Sequence, residues 1–225
     1  MPTISAIVPV LDEEAALPRT LERLTSLGFE VIVVDGGSRD GSVETARRFG
    51  VRVLAALPGR ARQMNRGAAR AGGEILFFVH ADSRVPDNAA GIIARTLARP
   101  GTAAGAFRLA IDSPRPVLRF IAGLANLRSR LLQLPWGDQG LFLTRRVFEE
   151  VGGFQDLPLM EDVDLDRRLK RVGRIVLAPA AMTTSARRWE RHGPIRNSLR
   201  NLWRLTRYFL GASPDRLARD YRDVR

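Results

Sequence analysis

Three acidic residues stand just beyond hydrophobic, β-branched runs: Asp12 after the run at 3–10, Asp35 ending the run at 29–35, and Asp82 after 74–80. Runs of this kind read as buried strands, and in an open parallel sheet ligands bind in the crevice beyond the carboxyl ends of the strands. Gly36 and Gly37 let the chain turn sharply after Asp35, leaving its carboxylate at the strand end, where it can accept hydrogen bonds from a base or a ribose. Read as a strand-to-helix turn alone, the same segment needs only Asp40 as a helix cap. A fourth acid, Asp162, lies three residues before Leu165, and Leu165, Leu169 and Val172 share one face of a helix predicted over 161–172. Its carboxylate is therefore directed towards the core side of the helix start. Stabilising the helix dipole accounts for an acid at this place, but not for one facing inward.

Basic and polar groups complete the set. Arg60 and Arg62 open a helix predicted over 60–71, where guanidinium groups and a helix dipole suit a diphosphate; as a purely structural feature they are a solvated helix face. Trp136, in Pro135-Trp136-Gly137-Asp138-Gln139-Gly140, offers a flat apolar surface to a sugar or lipid, or simply packs beside a Gly turn.

The elements that must hold these residues follow from periodicity. Strand-like runs at 3–10, 29–35, 51–55 and 74–80 alternate with helical spacing at 14–27, 40–49 and 60–71, the order of βαβ units around a mainly parallel sheet. Later segments predict a strand at 103–111, a helix at 114–134, a short strand at 141–143, helices at 144–151 and 161–172, and two closing strands at 174–178 and 182–185. From residue 187 onward eleven arginines face four acids, so the chain divides into an α/β domain over 1–186 and a basic, helical extension over 187–225. In that extension Ile195, Leu199, Leu202, Leu205, Tyr208 and Phe209 recur every three or four residues with arginines between them. Such a helix either packs on the domain or lies on an anionic membrane surface.

Composition narrows the classes. With 225 residues, 45% of them hydrophobic, the chain buries one substantial core. No cysteine is present, which excludes disulfides, thiolate zinc sites and thiol catalysis and fits a reducing compartment. His80 and His192 are the only histidines, so any metal must be held mainly by carboxylates. The first residues lack the pattern of a secretory signal, and no stretch approaches about 18 consecutive apolar residues, so a cytoplasmic, non-spanning protein is expected. The formal net charge of +12 favours anionic partners.

The segments Ile7-Val8-Pro9-Val10-Leu11-Asp12-Glu13-Glu14 and Val33-Val34-Asp35-Gly36-Gly37-Ser38-Arg39-Asp40-Gly41 together resemble the opening of the family 2 glycosyltransferases, although Asp12 replaces the usual Asn and Gly36 the usual second Asp. The resemblance implies a GT-A fold and inverting transfer from a nucleotide-sugar donor (UDP-, GDP- or dTDP-linked) to an acceptor hydroxyl. It places Asp12 or Glu13 at the nucleotide and Asp35 at the base, with Arg62 and Asn65 approaching the donor. His80-Ala81-Asp82 falls where the family carries its DxD metal motif. Asp82 is thus implied as the ligand of a divalent cation, Mn2+ or Mg2+, with His80 an auxiliary and Ala81 beside the donor; an imidazole suits Mn2+ better than Mg2+. Glu161-Asp162 resembles the family's ED motif, which implies Asp162 as the base that takes the acceptor's proton, supported by Glu161. Trp136, Gly137, Asp138 and Gln139 match the acceptor-side turn. Ser185-Ala186-Arg187-Arg188-Trp189 is similar to the Q/RxxRW segment of membrane-associated members, implying a diphosphate contact for Arg188 and an acceptor contact for Trp189.

Three other readings stay open on residues alone. A nucleic-acid-binding module accounts for the arginines but not for acids at strand ends or an inward Asp162, and no nucleic acid partner is expected. A nucleotidyltransferase predicts a Gly-rich, Lys-bearing loop after the first strand, a place filled here by Leu11-Asp12-Glu13-Glu14. A donor-binding but inactive relative is compatible with a single carboxylate at His80-Ala81-Asp82.

Overall fold

The computed structural model describes residues 2–222, and the side chains among them other than those of Arg188, His192 and residues 220–222. Its centre is a single mixed sheet. The first half supplies β1 (Ile4–Val10), β2 (Glu30–Asp35), β3 (Arg52–Ala55) and β4 (Ile75–Phe78), all parallel in the order β3-β2-β1-β4. Strands β1, β2 and β4 are buried on both faces, as their near-continuous apolar content requires. Three crossover helices cover them: α1 (Leu17–Ser26), α2 (Ser42–Arg48) and α3 (Arg60–Ala68). Leu17, Leu21 and Leu24 form the inward stripe of α1. Gly67 of α3 is a close approach, because a Cβ there would lie 2.5 Å from Ile7 Cγ2.

Beyond β4 come the two-residue β5 (Ser83–Arg84), α4 (Ala89–Leu97), β6 (Thr102–Asp112) and α5 (Pro116–Leu132). A single 3₁₀ turn over Gly137–Gln139 leads into β7 (Leu141–Thr144), α6 (Arg145–Glu150), α7 (Glu161–Val172) and β8 (Arg174–Ser185). The complete sheet has eight strands in the order β3-β2-β1-β4-β7-β6-β8-β5, with β7 antiparallel to both neighbours and β8 parallel to β6. The two closing strands expected at 174–178 and 182–185 are one element. A register shift between Ala106 and Arg108 of β6 leaves residues around Pro179 unpaired, so the strand bends there without ending.

The chain continues through α8 (Arg187–His192), α9 (Pro194–Phe209) and α10 (Pro214–Arg222). Of these, α9 packs against α5 and, through Leu205 and Tyr208, against Leu134, Trp136, Met160 and Val163. Among the described residues no helix is long and apolar enough to cross a membrane.

Candidate active site

The carboxyl ends of β1, β2 and β4 open into one crevice. At its floor, the Gln63 amide donates to the carbonyls of Val10 and Val34, both at 2.8 Å, and so clamps the ends of β1 and β2 to α3. Sequence motifs gave no sign of this residue, though its place one turn into the glycine-led helix faces the strand ends. Asp35 is buried, and its carboxylate accepts from the amides of Gly37 (2.9 Å) and Ser38 (3.1 Å), which holds the loop after β2 in a tight turn. Asp12 adopts left-handed backbone (φ 54°) and accepts from the Arg39 amide at 2.7 Å, tying the loop after β1 to the loop after β2. Such a conformation costs a non-glycine residue on the order of 1 kcal/mol, and it is retained here at the crevice rim.

Several residues expected at the donor are engaged elsewhere. Arg62 forms a two-oxygen ion pair with exposed Asp156, at 2.8 and 2.9 Å from Nε. The Asn65 amide donates to the Phe154 carbonyl (2.7 Å) and accepts from the Phe154 amide (3.0 Å), a closed pair that fastens the loop after α6. These two residues thus secure the wall of the crevice, with their polar groups turned to protein. The Ala81 side chain lies in the core, and its carbonyl accepts from Thr20 Oγ1 at 2.7 Å. The side chain of Arg188 lies outside the described residues.

Asp82 and Glu13 face each other across Arg187, whose guanidinium is 3.0 Å from Glu13 Oε2 and 3.8 Å from Asp82 Oδ2. Arg187 belongs to the Ser185–Trp189 segment, yet its role was not visible in it. His80 is turned the other way: a Cβ on Gly137 would lie 2.7 Å from His80 Nε2 and 3.1 Å from Arg60 Nη2. A side chain at 137 would therefore have to displace the His80 imidazole and crowd the Arg60 guanidinium. Among the described residues no three His, Cys, Asp or Glu side chains gather into a cage for a cation. Mg2+ and Mn2+ bound with a nucleotide need no cage, since one or two carboxylates suffice when phosphate oxygens and water complete the shell. The carboxylate of Asp82 fits that mode, with the imidazole of His80 directed to the side of Gly137.

That side is built by the 3₁₀ turn and the start of α7. Met160 is left-handed (φ 68°), which swings the chain so that α7 begins against the turn. Asp162 Oδ2 accepts from the Gly137 amide at 3.2 Å and Oδ1 from the Val163 amide at 2.8 Å. Asp162 lines a narrow cavity of about 20 Å³, together with Pro9, Arg60, His80, Trp136 and Asp166. Glu161 is buried and ion-paired with Arg60 Nε at 2.9 Å. Burial pushes the Glu161 carboxyl above its ordinary value; Arg60 opposes the rise and Asp162 adds to it.

Asp166, one turn after Asp162, is 1% exposed, and neither carboxyl oxygen has a hydrogen-bond partner among the described residues. Burial raises its pKa well above the usual aspartate value; Asp162 adds to this, while Lys170 and Arg128 oppose it. The spacing from Asp162, together with Leu165 and Leu169 on the same face, is the sign by which the sequence marks it. Arg128 of α5 is largely buried, its guanidinium 3.6 Å from the centre of the Trp136 ring. Burial lowers its pKa, opposed by Asp138, Asp162 and Asp166. One face of the indole is thereby taken by the guanidinium, while the ring also packs on the Leu134–Val163–Leu205 cluster and lines the cavity.

Two acceptor-side expectations change. Gln139 is 0% exposed; its amide donates to the Phe107 carbonyl (3.1 Å) and accepts from Ser129 Oγ (2.6 Å) and the Trp136 amide (3.2 Å). It shapes the turn and has no surface to offer a sugar. Trp189 is buried among Leu109, Ile111, Leu118 and Ala122, where it seats α8 beneath α5. A buried indole beside a basic run reads in sequence like an exposed one, because the partners that cover it come from residues 109–122.

The mixed eight-stranded sheet flanked by helices is the fold of GT-A glycosyltransferases, and solved structures share that fold. A mannosyltransferase of Pyrobaculum calidifontis, in complex with GDP-Man and Mn2+, superposes with a TM-score of 0.64 at 20% identity, covering 81% of this chain and 56% of that one. Glucosyl-3-phosphoglycerate synthase of Mycobacterium tuberculosis, in complex with Mn2+, UDP and glucosyl-3-phosphoglycerate, gives 0.59 at 22% identity over 82% of this chain and 70% of the other. The chain belongs to the family described as glycosyl transferase family 2, which matches residues 5–150. A probable glycosyltransferase, YdaM of Bacillus subtilis (strain 168), is 24% identical over 217 residues, covering 81% of this chain and 50% of YdaM. An undecaprenyl-phosphate 4-deoxy-4-formamido-L-arabinose transferase of Aeromonas hydrophila is 46% identical over 50 residues, which is 20% of this chain and 15% of that protein. The chain thus spans half the length of YdaM and a smaller share of the arabinose transferase.

Proposed function

We propose that this chain is an inverting glycosyltransferase, moving a sugar from a nucleotide-sugar donor to the hydroxyl of a lipid or lipid-linked acceptor. The observation that carries the reading is the Asp162 carboxylate, held by the Gly137 amide inside the cavity shared with His80 and Trp136. The acceptor oxygen attacks the anomeric carbon from the face opposite the nucleoside diphosphate. Its new bond to carbon forms as the carbon–phosphate-oxygen bond breaks, and its proton passes to Asp162. Configuration inverts because one displacement occurs. Glu161 and Arg60, as an ion pair, fix the first turn of α7 and hence the direction of Asp162.

A divalent cation, when bound with the donor, neutralises charge on the departing diphosphate. Asp82 would hold it, and Arg187, between Asp82 and Glu13, adds positive charge at the same place. Asp12, Glu13 and Asp35 form the nucleotide wall, while Trp136, Gly137 and Asp138 form the acceptor wall. GDP-Man and UDP in the two solved relatives support a nucleotide-sugar donor, and the arabinose transferase supports a polyprenyl-type acceptor. In this reading residues 1–186 carry out transfer, and the basic extension over 187–225 keeps the enzyme peripherally at the cytoplasmic face of an anionic membrane.

Asp162→Asn tests the chemistry. It keeps the carbonyl oxygen that accepts from Gly137 but cannot take a proton, so transfer falls by about 10²–10⁴-fold while stabilisation by UDP- or GDP-sugars in a thermal-shift assay is unchanged. Undiminished turnover would remove Asp162 as the base. A parent chain that binds donor sugars yet transfers none would establish the inactive-relative reading.

A further inference from the structure

Helices α5 and α9 each have two apolar faces. On α5, Leu118, Ala122 and Ser129 point into the protein, while Phe120, Leu124, Leu127 and Leu131 lie on the opposite side and are exposed. At 3.6 residues per turn these four make one continuous stripe. On α9, Asn197, Arg204 and Leu205 face inward, whereas Ile195, Leu199, Leu202 and Trp203 form an outward stripe, Trp203 being 62% exposed. A surface helix of a globular domain has one apolar face, so a second one on each of two neighbouring helices calls for an occupant.

Charge decides which occupant fits. Neither helix contains a carboxylate, and Arg119 and Arg130 on α5, with Arg196, Arg200 and Arg207 on α9, flank the stripes. A second copy of this chain meeting the same surface would bring arginines against arginines with no acid to pair them. A nucleic acid would match the arginines but leave the apolar stripes against phosphate. An anionic bilayer matches both features, because acyl chains accept the stripes while headgroup phosphates meet the flanking guanidinium groups.

We infer that α5 and α9 together form a surface that docks on an anionic membrane, with the catalytic cavity on the protein side of these helices. The inference rests on the lipid-acceptor reading only for its purpose. Its geometry is independent of that reading: the inward face of α9 carries Leu205 and Tyr208, which pack on Leu134, Trp136, Met160 and Val163. The docking surface and the acceptor wall are thus opposite sides of one helix layer, about 10 Å thick. Docking on this face therefore holds Trp136 and Asp162 about one helix diameter from the interface, within reach of an acceptor whose headgroup extends beyond the bilayer surface. The α5 contribution comes from within the catalytic domain, so the extension is not the whole of the anchor.

The test is flotation of the full chain on vesicles of phosphatidylcholine alone or mixed with phosphatidylglycerol. The parent chain floats with the mixed vesicles and weakly or not at all with phosphatidylcholine. Arg196→Gln/Arg200→Gln/Arg207→Gln lowers partition onto the mixed vesicles by about fivefold per arginine. Leu127→Gln/Leu199→Gln/Trp203→Gln, all on the outward faces, abolishes flotation while leaving the melting temperature within about 3 °C of the parent. Sedimentation in solution shows a monomer for every form. Equal flotation on both vesicle types, unaltered flotation of the apolar triple variant, or a parent dimer that this variant dissociates would each overturn the docking surface. Donor-induced thermal stabilisation is measured alongside, and it decides the transferase reading separately, since a chain that binds UDP- or GDP-sugars without floating loses only the membrane surface.

Discussion

Arg60 Nε stands 2.9 Å from Glu161 Oε1, so the first turn of α3, on the donor side, is tied to the first turn of α7, which carries the proposed catalytic base. Glu161 is 4% exposed and cannot draw on solvent in place of this partner. Arg60→Leu therefore leaves a buried carboxyl without its counter-charge. Its folded-state pKa, already raised by burial, rises further above the unfolded value, so stability is intact below the unfolded value and is lost as pH rises towards the folded one. The variant should match the parent up to the parent's own raised Glu161 value and, above it, lose up to about 1.4 kcal/mol per pH unit more than the parent, to a limit of about 3–5 kcal/mol. Urea melts at about pH 4.5, 6 and 7.5 span this window and check it. A deficit independent of pH would mean that Arg60 acts only through packing.

The parallel half of the sheet was legible in the sequence because strands buried on both faces are written as unbroken apolar runs, and their terminal acids mark the crevice. The start of α7 was also legible, since Leu165 and Leu169 set its inward face, although Val172, expected on the same stripe, is exposed at the end of the helix. Side-chain partnerships were not legible. Asn65 meets Phe154 across 89 residues, and Gln139 meets Phe107 across 32. No local pattern encodes that an amide will be consumed by backbone rather than by a sugar. Pro179 made β8 look like two strands, because a proline breaks the ladder locally whether or not the strand resumes beyond it.

Gln139 gives a direct measure of that distinction. Gln139→Leu removes the partner of the Trp136 amide and of the Phe107 carbonyl at the buried centre of the turn, at about 1–3 kcal/mol for each group left unsatisfied. The expected loss is about 3 kcal/mol, a fall in melting temperature of about 6–12 °C for a chain of this size. Donor binding in the surviving fold should stay close to that of the parent. A variant with unaltered melting temperature and a raised KM for acceptor would instead make Gln139 a sugar contact.

The proposed role of Asp82 as ligand of the cation is tested in the same quantitative way. With a donor sugar at about 100 times its Kd, the folded chain gains about 2.7 kcal/mol. Chelating divalent ions should remove most of that gain in the parent. Asp82→Asn should show the reduced gain whether or not Mn2+ is added, since Arg187 then remains as the positive group facing the diphosphate. Thermal shift with UDP- and GDP-sugars, with Mn2+ or with chelator, reads every one of these states. Full Mn2+ dependence in Asp82→Asn would place the cation on other residues, with His80→Ala the next variant to measure.

Asp166 carries the last prediction, and its sign differs from that of an ordinary surface aspartate. The carboxyl is buried with both oxygens unpartnered among the described residues, and burial together with Asp162 holds its proton in the folded state. The unfolded chain releases that proton near the usual aspartate pKa, about 3.9. Between the two values folding takes up a proton, so Asp166 opposes folding increasingly as pH rises, by at most about 1.4 kcal/mol per unit. The amide introduced by Asp166→Asn is neutral throughout and occupies the same space with the same unsatisfied polarity. The variant should therefore equal the parent near pH 4 and exceed it in stability towards pH 7. Because Asp166 stays neutral beside Asp162, the acidic limb of the transfer profile should be unmoved by the substitution. Parallel stability curves for the two proteins from about pH 4 to 7 would show that Asp166 is ionised in the fold; Arg128 and Lys170, the cations acting on it from α5 and α7, would then be its counter-charges.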